Sequence, residues 1–192
     1  MRDSAVDEAR IELTSHQPKS LWKTLGRLLP MCFLLPFQLL RHGRNGLYFR
    51  HPSSTVNGRV SFGRFCEVGA HVFMNAGPDG IRIGRFSQIN PLTSIVGNVH
   101  IGDRVLIAPS CSLAAGGHRF GKGIQPRFSG GSAPQSIHIE DDVWLGASVV
   151  VVGNITIGHG SVIAAGVTLD RDVPPHTLVR RGTQAFVFEP LR

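Results

Sequence analysis

The chain has 192 residues, enough for one domain with a substantial core, and at 42% hydrophobic against 17% charged residues it is no disordered tail. Twenty Lys and Arg against 13 Asp and Glu leave a formal charge of +7, which favours anionic partners: phosphates, nucleotide-linked substrates or a membrane surface. Nucleic acid is not expected, because neither a basic stripe with interleaved aromatics nor a known reading module is present.

Residues 1–55 come first. The opening stretch mixes acids and bases and lacks the charged-then-apolar start of a secretory signal. Within "SLWKTLGRLLPMCFLLPFQLLRHGRNG" no residue from Leu28 to Leu40 is charged. That run is too short to span a bilayer, and Pro30 and Pro36 interrupt a helix. Lys19, Lys23, Arg27, Arg41 and Arg44 rim it. The segment is expected to cap the open end of whatever fold follows, or to make peripheral contact through 19–44 with an anionic membrane on its inner face. The cysteines, Cys32, Cys66 and Cys111, form neither a zinc motif nor a disulfide framework, which fits a reducing, cytoplasmic compartment.

From residue 56 a six-residue beat sets in. Ile83, Ile89, Ile95, Ile101, Ile107 and Leu113 follow one another at hexad spacing, and so do Ile139, Leu145, Val151, Ile157, Ile163 and Leu169. Val56, Phe62, Val68 and Met74 form a weaker lead-in. A small or acidic residue often follows each aliphatic, and a compact one stands four positions on, Cys66 and Cys111 among them. The period is neither that of an α-helix nor plain strand alternation. A large aliphatic, a glycine and a compact residue every six positions predict a parallel β-helix, with glycine allowing each corner its special backbone angles. Cys66 and Cys111 are then small core residues.

The beat stops at "AAGGHRFGKGIQPRFSGGSAPQS" and resumes at Ile137. A glycine-rich excursion over 119–136 is predicted, with His118 at its threshold. Histidine suits proton transfer near neutral pH, and a fixed backbone beneath a loop would hold it as a rigid base. Apart from His100, the remaining histidines, His16, His42, His51, His71, His138, His159 and His176, read as surface or packing residues. Arg119, Lys122 and Arg127 on the loop are candidates to receive an anionic group.

Two stretches resemble the hexapeptide-repeat acyltransferases, in the galactoside, maltose and polysaccharide O-acetyltransferase branch. They are "HIGDRVLIAPSCSLAAGGHRF" and "IEDDVWLGASVVVVGNITIGHGSVIAAGVTLDRDVPP". The resemblance implies an all-β, left-handed parallel β-helix of three hexads per coil, about five coils over 56–175, followed by a tail at 176–192. It implies acetyl-CoA as co-substrate, no metal, and a homotrimer acting on a sugar or glycoconjugate hydroxyl, as in polysaccharide biosynthesis. An N-acetyltransferase of a nucleotide-linked amino sugar or antibiotic, and a non-catalytic scaffold, are the alternatives. By position, His118 would be the base and Trp144 would line the cleft. Ala147 and Ala165 would contact CoA through backbone amides, and Arg171 stands where the family carries lysine. Gln88, Asn90 and Asn75 are acceptor candidates. The zinc-binding branch of this fold wants a second histidine five residues past the first, and position 123 is Gly. Three hexads per coil would stack Arg82, His100 and His118 in one column, so His100 is expected to disfavour protonated His118.

The tail departs from the pattern: "LVRRGTQAFVF" stands where the family ends on a Gly-Val-Pro-Ala-Lys turn.

Overall fold

The computed structural model describes residues 47–181 and the backbone of the strand Phe186–Pro190. The expected cap or membrane segment at 19–44 lies outside the described residues. Among the described residues no helix is long and apolar enough to cross a membrane.

The chain winds into a three-faced parallel β-helix. Hexad phase dictates this: each buried aliphatic points inward, and the next, six residues on, points inward from the neighbouring face. Ile83, Ile89, Ile95, Ile101, Ile107 and Leu113 are all buried, as is the second series from Ile139 to Leu169. Face one is built from Phe49–Arg50, Glu67–Val68, Gln88–Ile89, Leu106–Ile107, Trp144–Leu145, Val162–Ile163 and Thr177–Arg181, with Phe186–Pro190 closing it antiparallel. Face two takes Thr55–Asn57, the first parts of Phe73–Ile83 and Ser94–Ile101, then Ser112–Ala115, Val150–Val152 and Thr168–Leu169. Face three takes Val60–Phe62, the second parts of those two long strands, Ser136–Ile139 and Ile155–Ile157.

Face one therefore carries seven parallel rungs among the described residues, where the hexads predict about five coils. The beat is hidden at both ends. Phe49–Arg50 pairs with Glu67–Val68 ahead of the first recognisable hexad, and extra residues between Ala76 and Ile81 then break the phase. At the other end Pro174 and Pro175 shorten a coil before Thr177–Arg181 joins Val162–Ile163.

Glycine does two jobs. At the corner between faces two and three Gly58, Gly97 and Gly153 take the positive φ expected of a corner glycine, whereas the glycines after the buried aliphatics do not. Two of the three corners carry non-glycine residues in the left-handed region: Phe65, Phe86, Arg104, Asp142 and His176 at one, His71, Leu92, Ser110 and Ser148 at the other. That conformation costs roughly 1–2 kcal/mol per residue. A backbone bond to the preceding coil offsets it, as where Arg104 N–H donates to the Arg85 carbonyl at 2.8 Å. The glycine after the buried aliphatic instead permits coils to stack. A Cβ on Gly84 would run into the Gly102 carbonyl. The compact positions are buried as expected, and burial pushes the Cys66 thiol up to about 12.

Candidate active site

The chain leaves the prism after Ala115, at the corner between faces two and three, and returns at Ser136. The excursion doubles back on itself. Ser132 N–H donates to the Gly117 carbonyl at 2.8 Å, His118 bridges antiparallel to Gly131, and the Arg119 guanidinium donates to the Ser129 carbonyl at 2.9 and 2.7 Å. A single 3₁₀ turn, Pro126–Phe128, lies further along the loop. His118 is thus exposed on an arm whose backbone is pinned across the loop. Arg119 is committed to the loop's own carbonyl, while Lys122 and Arg127 are exposed.

The expected column through His118 is not formed. His100 sits in register with Arg82 on one side and His138 on the other. The loop removes His118 from the stack, and His138 takes the place that eighteen-residue spacing assigns to it. Burial, then Arg82, then His138 lower the pKa of His100. His100 and His138, with Gly102, Glu140 and Thr156, border an open groove of about 410 Å³ on face three.

Trp144 points outward from face one and is 49% exposed. Gln88 lies on the same face two rungs away, with Leu106 in register between them. Asn90 sits at the edge of that face, and its side-chain amide donates to the Ile107 carbonyl at 2.8 Å while its oxygen accepts from Gln88 at 3.3 Å. Ala147 and Ala165 are stacked at this same edge, between faces one and two, joined where Gly166 N–H donates to the Ala147 carbonyl at 2.8 Å. Both are exposed. Arg171 lies at the opposite edge of face two, the corner from which the loop departs, and its guanidinium contacts Asp170 at 3.2 Å. Asn75 is exposed on face two itself, between Asn57 and Val96.

Within one prism, then, Gln88, Asn90, Trp144, Ala147 and Ala165 are brought together, whereas His118 and Arg171 stand across face two. Sequence reasoning missed that Trp144 belongs to an outward apolar row, Leu106, Trp144, Val162 and Leu178, on successive rungs. Its signal is the residue just before each buried aliphatic of face one. Among the described residues no three His, Cys, Asp or Glu side chains converge to hold a metal ion.

Stacked hexads, an edge of small residues and a histidine on an excursion loop define a hexapeptide-type transferase prism. Residues 136–171 match the family described as bacterial transferase hexapeptide (six repeats). Galactoside O-acetyltransferase of Escherichia coli (strain K12) is 36% identical over 161 residues, covering 77% of either chain. A hexapeptide-repeat-containing acetyltransferase of Vibrio cholerae, solved with acetyl-CoA, superposes with a TM-score of 0.54 at 29% identity, covering 93% of this chain and 91% of that one. A relative from Schizosaccharomyces pombe, 37% identical over 93 residues, is matched over 44% of its own length. The chain belongs to the hexapeptide-repeat acetyltransferase family.

Proposed function

We propose that this protein transfers acetyl from acetyl-CoA to a hydroxyl of a sugar or glycoconjugate, with His118 as general base. Galactoside O-acetyltransferases among the relatives and acetyl-CoA in the Vibrio cholerae structure support the donor and the acceptor class. In this reading His118 takes the acceptor's hydroxyl proton as its oxygen attacks the thioester carbonyl. The C–S bond then breaks, and His118 returns the proton to the CoA sulfur, leaving an acetyl ester and free thiol. The edge formed by Ala147 and Ala165 suits pantetheine, since these two positions present nothing longer than a methyl, and Trp144 supplies an apolar wall. Arg171 is the phosphate contact, weakened by its neighbour Asp170.

The observation that carries the reading is the division of these groups between two edges of one prism. The strand Ser112–Ala115 separates the Pro109–Ala147–Ala165 edge from the arm bearing His118. Enclosure of donor and acceptor therefore calls for a second copy, and a closed homotrimer provides three equivalent clefts. A cytoplasmic enzyme serving cell-surface polysaccharide synthesis fits this chemistry.

The test is a panel of sugars, glycoconjugates and amino sugars with acetyl-CoA, read by thiol release in native protein and His118→Ala. Transfer to hydroxyls that disappears in the variant is the expected result. Preference for amines would reassign the acceptor, and equal rates would remove His118.

A further inference from the structure

We infer that Asn98 is a positioning residue for the loop that carries His118, an inference that rests on the reading of His118 as the base. Asn98 is 7% exposed and uses both ends of its side chain. Its oxygen accepts the Asp79 backbone N–H at 2.9 Å, from the corner of the preceding coil, and its amide donates to the Gln135 carbonyl at 3.3 Å. Gln135 is the last residue of the excursion before the strand Ser136–Ile139.

The neighbouring residue handles the other end. Gly97 has φ +94°, and a Cβ there would run into the Ala115 carbonyl, so the chain departs directly over Gly97. The two feet of the excursion thus rest on adjacent residues, one holding by absence of a side chain and the other by a buried amide. Asn98 is itself anchored. The corner it grips is held from its far side by the Arg59 guanidinium, which donates to the Pro78 carbonyl at 2.9 Å. A displaced return foot would shift Ser132 and Gly131 just upstream, and through them Gly117 and His118 on the facing arm. Misplacement of about 1 Å at a reacting group can cost as much as 10²-fold in rate.

Asn98→Asp separates this role from general packing. The carboxylate keeps an acceptor for Asp79 N–H but turns an oxygen toward the Gln135 carbonyl, loosening the foot alone. Expected are a kcat lower by about tenfold, an acetyl-CoA KM within twofold of native, an unmoved pH–rate midpoint, and faster tryptic cleavage after Lys122 and Arg127. Asn98→Ala, which loses both bonds, serves where the acidic variant does not fold. Native kcat and native cleavage rate in a folded variant would overturn the inference. Should native protein and His118→Ala transfer equally, the base assignment fails instead, and the cleavage rates alone decide whether Asn98 fixes the loop.

Discussion

His138, and not His118, lies one rung beyond His100, with the two rings 5.2 Å apart in an edge-on arrangement. Arg82 occupies the rung on the other side of His100. Partial burial first, and then the neighbouring Arg82 and His138, make protonation of His100 unfavourable in the fold. His118 stands outside this column, on the loop arm.

The pH dependence of stability follows with a definite sign. An unfolded histidine titrates near pH 6.5, and in the fold His100 titrates lower, so the unfolded chain binds the extra proton first. Stability is then full above about pH 6.5 and falls as pH drops below it. His100→Phe should flatten the thermal midpoint between about pH 7 and 5 relative to native protein. The same variant should leave the acid limb of the pH–rate profile in place, since His100 does not touch His118. A shifted limb would restore the column that the spacing suggested.

Coil stacking makes unequal forecasts for two corner substitutions. Gly84→Ala places a methyl against the Gly102 carbonyl and against Asp103 N at 2.6 Å, where only backbone movement gives relief. Overpacking of this kind costs typically 1–3 kcal/mol, so a drop in the denaturation midpoint by at least about that equivalent is expected. Arg104→Gly loses the two-pronged pair with Asp142, at 2.6 and 2.7 Å, but frees a residue held at φ 57°. Its two effects oppose each other, and the midpoint should move far less than for Gly84→Ala.

Trp144→Ala tests the wall of the cleft. The side chain points outward, so the fold should tolerate its loss, with little change in thermal midpoint. If pantetheine lies against it, losing roughly 50 Å² of apolar contact removes about 1.3 kcal/mol, near tenfold in acetyl-CoA KM. Unchanged KM with unchanged kcat would place Trp144 outside the site.

Much of this architecture was legible in the hexads because the core accepts only a large aliphatic at each inward position. Cys66, Ser87, Cys111 and Ser161 likewise followed from the period, and the two serines answer their burial by bonding to the next coil. What the period could not reveal is where it is interrupted. The extra residues after Ala76 and the excursion after Ala115 change which residues stack, so counting by eighteen put His118 over His100. The glycine after each buried aliphatic was misread for a related reason, although Gly58, Gly97 and Gly153 do supply the corner angles expected of glycine. Sequence shows that a small residue follows each aliphatic, but not whether the demand is a dihedral angle or the approach of the next coil. Asn98 left no mark at all, since its partner Gln135 lies 37 residues on and beyond the loop.

The last prediction concerns the divided site. His118 leaves the prism at the corner between faces two and three, while Ala147 and Ala165 line the corner between faces one and two. If each cleft joins the first edge of one copy to the second edge of another, two inactive variants can complement. His118→Ala keeps an intact wall, and Ala147→Glu keeps an intact base while blocking the donor. Co-refolded at equal amounts, about a quarter of the sites in a random closed trimer would draw both good halves. Activity should recover to roughly that fraction of native, whereas simple mixing of preformed assemblies should recover none. Light scattering should give three times the chain mass of 20.8 kDa. A fully active monomer, or co-refolded protein as inactive as its parents, would show that one prism holds the whole site.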